Sequence, residues 1–198
     1  MPTTESEYAA ALDTYFSFFR MQSLLANCLA QSELTQRKAI LLAIAHRHLK
    51  RAWDKKSVAL NALSLVQPAS ARQVDEAVFL RLVLDEEVIR HIDIALDILA
   101  LLDEAQMARA ICAALSSRDR RLRAQALESL RHIENNVLVE WLLPLIEAAH
   151  DGARWEHTVP DMPRDINEMI AWCKRQGGQW LRQCAASMEE GTSLATPV

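Results

Sequence analysis

Apolar residues return at every third or fourth position through most of the chain and rarely alternate one by one. That spacing puts them on one face of an α-helix and predicts a helical protein without a sheet. The first stripe, Leu12, Tyr15, Phe16, Phe19, Leu24 and Leu25, predicts a helix from near Thr4 to about Gln31–Ser32. Thr4 or Ser6 would cap it, and Glu5 and Glu7 suit the positive end of its dipole. A second helix is expected over "ELTQRKAILLAIAHRHLKRAWDKK", resuming through "SVALNALSLV" after a break near Asp54. Pro68 would end it, because proline pushes its predecessor out of helical backbone. From about Ser70, "VDEAVFLRLVLDEEVIRHIDIALDILALL" predicts one long helix, or two joined by a kink near Leu84–Glu86.

Shorter helices follow. Asp103 would cap "EAQMARAICAALSS", Ser117 or Asp119 would cap "RRLRAQALESLRHI", and Asn135 or Asn136 would cap "VLVEWLLPLIEAAH". Pro144 falls inside the last of these and leaves the carbonyl of Glu140 without its usual donor, so a kink is expected. Helices of this length on such short links are antiparallel neighbours. The periodicity lapses over "DGARWEHTVPDMP", residues 151–163, and resumes in "RDINEMIAWCKRQ". Gly177 and Gly178 separate that helix from "QWLRQCAASMEE", and the small, polar tail from Gly191 is expected to fray. These signals predict residues 1–67 as an N-terminal hairpin region and 68–190 as repeats, within one continuous domain ahead of the tail at 191–198.

Two of the short helices share a local pattern. "DRRLRAQALES" from Asp119 aligns with "GQWLRQCAASM" from Gly178, matching Leu122 with Leu181, Arg123 with Arg182 and Ala126 with Ala185. The offset of 59 residues (119 to 178) exceeds the ~40–47 of helical-hairpin repeats, and the loop at 151–163 accounts for the excess. Ala124, Ala126, Ala185 and Ala186 would let a neighbouring helix approach, while Leu122, Leu127 and Leu130 would fill the layer between hairpins. A single hairpin cannot bury both faces, so neighbours must stack.

The run Asp119, Leu122, Arg123, Ala126, Leu127 and Leu130 resembles the second helix of a HEAT repeat. The segment "LLDEAQMARAICAALSSRDRRLRAQALESLRHIENNVLVEWLLPLIE" is similar to HEAT-like segments of certain bacterial proteins, and "QWLRQCAA" resembles their next repeat. In those proteins the repeats accompany a transporter-like membrane domain or a cyclic-nucleotide-binding domain. The resemblance spans about Glu86 to Glu190. It implies an all-α, right-handed array of antiparallel helical hairpins, a HEAT-like α-solenoid, serving as a binding or scaffolding module.

Composition sharpens the functional side. Hydrophobic residues make up 51% of the 198, against 4 Gly and 6 Pro, which excludes disorder throughout. A net charge of −4 weighs against nucleic acid as the partner. Cys28, Cys112, Cys173 and Cys184 lie far apart, so buried free thiols and a cytoplasmic location are expected. The acidic N-terminal stretch lacks the basic segment of a secretory signal. The most apolar run, "IDIALDILALL", is interrupted by Asp93 and Asp97 and is too short to span a bilayer, which leaves only peripheral membrane contact open.

Charged clusters supply the candidate contact residues. Arg118, Arg120, Arg121 and Arg123 gather at a helix start, where positive charge opposes the dipole. They would meet an acidic partner along one rim, or Arg123 would reach a carboxylate of the adjacent repeat while the others stay solvated. Arg47, Arg51 and Lys55 fall at i, i+4 and i+8, with Lys50 and Lys56 alongside. That row is either a solvated face or a surface for an acidic protein, a phosphate-bearing ligand or an anionic membrane. Trp155 and His157 lie in the long loop, where Trp155 would either anchor the loop into the helices or stand out as a contact for a partner.

Catalytic and metal signals are poor. His46 and His48 are two apart and point away from each other, and Cys173 and Cys184 are eleven apart with His157 before them. Asp85, Glu86 and Glu87 would begin a helix segment, where negative charge is favoured, and Glu86 and Arg90 have the good i,i+4 orientation. Cys112 falls on an apolar stripe with Ile111 and Leu115. With no metal-binding spacing, phosphate loop or Ser/His/Asp assembly, no cofactor is expected. The expectation is a non-catalytic protein–protein interaction module, a scaffold, adaptor or regulatory subunit of a bacterial type. A ligand-sensing regulatory domain and a nucleic-acid-binding HEAT-like protein are the rival readings.

Overall fold

The computed structural model describes residues 34–66, 71–102, 107–115, 117, 119–133, 136–150, 155, 157 and 159–193. Among them are seven α-helices and no strand. In chain order these are α1 (Leu34–Asn61), α2 (Ala71–Leu102), α3 (Met107–Leu115), α4 (Arg120–Arg131), α5 (Asn136–His150), α6 (Ile166–Gln176) and α7 (Gln179–Ser193). A 3-10 turn, Ala62–Val66, extends α1. The chain divides into two compact units, Met1–Lys50 with His91–Ala153 and Arg51–Arg90 with Arg154–Val198.

In the first unit, Ile40, Leu41, Ile44, Ala45, His48 and Leu49 are buried on α1 at helical spacing. Helix α3 packs against α4, and α4 against α5. The start of α4 is stitched locally. The Ser117 hydroxyl accepts the N–H of Asp119, and the Asp119 carboxylate accepts that of Arg121 at 2.8 Å. Asp119 is therefore the cap, satisfying one of the donors a helix start leaves free. Ala126 and Leu130 are buried, whereas Leu122 is 46% exposed, Leu127 is half-buried and Ala124 is exposed. Of the leucines expected to fill a layer between hairpins, Leu130 alone is fully inside, because Leu122 falls on the outer side of α4. Pro144 sits inside α5, which continues to His150.

In the second unit, residues of α1, α2, α6 and α7 form one core that includes Val58, Leu80, Leu84, Met169, Trp172 and Leu181. Asp165 caps α6 by accepting the N–H of Glu168, whose carboxylate in turn accepts the N–H of Arg164. The N–H of Gly177 closes the helix on the carbonyl of Cys173 at 2.8 Å. Helix α6 packs against α7 and against the 3-10 turn after α1.

Three sequence expectations need correction. Helix α1 runs unbroken through Asp54, because the polar residues there are taken up by partners described below. Of the two alternatives for the segment from residue 71 the single long helix holds, with 32 residues, so Asp85, Glu86 and Glu87 lie in its middle and not at the helix start expected for them. Helix α7 extends past Gly191 to Ser193, into the stretch expected to fray. The helix expected over residues 4–31, the caps Asp103 and Asn135, Cys28, Arg118, the side chain of Cys112 and the end of the tail lie outside the described residues.

Candidate functional site

The densest chemistry of the second unit starts from five consecutive residues of α1, Trp53 to Ser57. Lys55 and Lys56 are both buried. The Lys55 ammonium lies 3.1 Å from Glu87, with both side chains only 4% exposed, and Lys56 lies 3.0 Å from Asp85. Asp85 and Glu87 are two apart on α2 and leave it in different directions, Glu87 to the interior and Asp85 to a half-buried position, each meeting one of the two lysines. Arg81 stands 3.9 Å from the second oxygen of Asp85. Burial pushes the Lys55 ammonium below its usual pKa, while Glu87 and Asp54 pull it back up and Arg51 adds to the depression.

Glu87 has a second partner. The N–H of Gly178 donates to both of its carboxylate oxygens, at 3.0 and 3.2 Å. Gly178 immediately precedes α7, so the buried carboxylate also sits at the positive end of that helix. An ammonium, a backbone N–H and a helix dipole together make a buried carboxylate tolerable. A side chain at Gly178 would collide with Glu87, and one at Gly177 with the Cys173 carbonyl and Leu181. Gly177 is required by close approach to backbone, and at Gly178 a side chain would displace the Glu87 carboxylate, a reason beyond the helix break legible in the sequence.

The loop residues close over this segment. The Trp155 indole N–H donates to the Ser57 hydroxyl at 2.8 Å. The single proton of that hydroxyl is shared between the carbonyls of Trp53 and His157, each at 3.0 Å. Trp155 stacks on Trp53 with ring centroids 4.5 Å apart, His157 meets Trp53 edge-on, and His157 Nε2 lies 3.0 Å from Asp54. Trp155 is thus half-buried against its own chain, as the loop-anchor alternative describes. His157 is held likewise.

The remaining candidates are scattered. Of the basic row, Lys50 and Arg51 are exposed and Arg47 is half-buried, but Lys55 and Lys56 do not belong to a solvent face at all. Their acids come from α2 and were invisible as partners in the sequence. Arg120 and Arg121 are exposed, and Arg123 donates to the Ser117 carbonyl of its own helix start at 2.6 Å. In the first unit, His46 is exposed and meets Trp141 edge-on, whereas His48 is buried with its Nδ1 2.8 Å from that of His91. One of those two rings must present N–H and the other a lone pair. Cys173 and Cys184 are free and buried, and burial pushes the Cys173 thiol up to about 12. That makes it a poor nucleophile. Among the described residues no group of three or more His, Cys, Asp or Glu could hold a metal ion. No described helix is long and apolar enough to cross a membrane.

Helix α2 is apolar on two opposite faces between residues 74 and 89. Ala77, Leu80, Val83, Leu84 and Val88 are buried, yet Val74, Val78, Leu82 and Ile89 are exposed, Leu82 by 60% and Ile89 by 53%. At ~100° per residue those four side chains lie within roughly 80° of one another. A helix that is apolar all round is ordinarily a buried one. The signal was present in the sequence as an apolar density too high for a single stripe.

The lysine–carboxylate pairs and the aromatic loop thus join the second unit's own residues, and among the described residues Val74, Val78, Phe79, Leu82 and Ile89 of α2 stand exposed. Compared with family models, with curated proteins and with solved structures, the chain matches none.

Proposed function

We propose that the chain is a non-catalytic interaction module, built from helical hairpins of HEAT-like type, that docks a partner helix on the outward face of α2. The observation that carries this reading is the stripe Val74, Val78, Leu82 and Ile89, exposed on a helix whose opposite face already supplies the core. An exposed apolar patch rimmed by polar residues is a mark of interaction sites. Asp75, Glu86 and Arg90 lie to one side of these four side chains and Arg81 to the other, and Asp85 falls on their own arc between Leu82 and Ile89.

The hairpin part of the reading draws on the two matched helix starts. In both, the N–H of an arginine returns to the carbonyl four residues earlier, Arg123 to Asp119 and Arg182 to Gly178. In both, the alanine three residues on from that arginine, Ala126 or Ala185, is buried. The contact surface differs from the basic row expected from sequence, because two of that row's lysines are neutralised inside the fold.

An environment-sensitive fluorophore attached to Leu82→Cys tests the site. In the dilute protein its emission should report water, and Val78→Lys should leave the thermal midpoint unchanged, since both positions face outward. Emission already blue-shifted in the dilute protein, or a loss of several degrees in Val78→Lys, would refute an open face.

A further inference from the structure

We draw no further inference here: the strongest candidate, the exposed apolar face of α2 at Val74, Val78, Leu82 and Ile89, is flanked by charges of both signs, Asp75 and Glu86 as well as Arg81 and Arg90, and nothing in the structure shows what covers it.

Discussion

Replacing Glu87 by glutamine removes one charge from the interior of the second unit while keeping its shape and an oxygen for the N–H of Gly178. Its effect can be bounded from the structure. The Lys55 ammonium would remain 3% exposed without its counter-charge at 3.1 Å. Leaving one member of a buried ion pair alone costs about 3–5 kcal/mol. There is also a ceiling, because Lys55 can give up its proton. From an unfolded value of 10.5, deprotonation at pH 7 costs about 1.4 kcal/mol per unit, or about 5 kcal/mol. Glu87→Gln should therefore destabilise the protein by about 3–5 kcal/mol at pH 7. The double variant Lys55→Met, Glu87→Gln should return to within about 1–2 kcal/mol of the native protein or exceed it, because the apolar replacement avoids desolvating an ion.

The pH dependence has a definite sign. Burial holds Lys55 below 10.5 in the fold, so between that depressed value and 10.5 the unfolded chain binds more protons than the folded one. Stability contributed at this site therefore rises with pH across that window and is flat below it. Urea unfolding followed by tryptophan emission is the suitable assay, because Trp53, Trp155, Trp172 and Trp180 all belong to the second unit. The slope of stability against urea must stay constant for the comparison to hold. If Glu87→Gln costs under about 1 kcal/mol, the two residues are hydrated and the buried-pair reasoning fails.

Other perturbations have sharper local readouts. Leu130→Ala should cost about 2–5 kcal/mol and Leu127→Ala clearly less, because only Leu130 is fully buried; equal losses by urea unfolding would contradict the register of α4. Asp119→Ala should cost about 1 kcal/mol by removing the acceptor for the N–H of Arg121, and Asp119→Asn should recover most of it. Native Cys173 should alkylate about a thousandfold more slowly than in the unfolded chain at pH 8, on the shift of its thiol from 9.0 to about 12. Labelling of native and urea-unfolded protein, read by mass spectrometry, checks this, and comparable rates would show the thiol to be solvated.

What the sequence disclosed was whatever depends on neighbours within a few positions. The α4 cap is an example, since Ser117, Asp119 and the N–H of Arg121 lie within five residues and their chemistry is complete in that span. Helical periodicity is equally local, and it located α3 to α7 closely. The supposed break at Asp54 shows where local reading stops. A run of Asp, Lys, Lys and Ser looks like an interruption when polarity is equated with surface. In the fold each of these side chains has a distant partner: His157 for Asp54, Glu87 for Lys55, Asp85 for Lys56 and Trp155 for Ser57. Those partners lie 29 or more residues away, beyond any helical period.

The same limit explains why matched motifs have unmatched environments. Leu122 and Leu181 occupy the same place in two similar stretches, yet Leu122 is nearly half exposed and Leu181 is fully buried. A repeat pattern specifies backbone and relative phase, but burial is decided by what each unit places beside that phase. The converse holds on α2. There the periodicity correctly indicated a core-facing side, and the surplus of aliphatic residues was absorbed into that expectation as helix length. Separating the two faces required knowing that Leu80 and Leu84 already pack inward, so that Val78, Leu82 and Ile89 must point elsewhere. An apolar residue outside the core and a charged residue inside it are the two positions where hydropathy misleads. Here the second unit holds both, with Lys55 and Glu87 paired in its interior and Leu82 exposed on its surface.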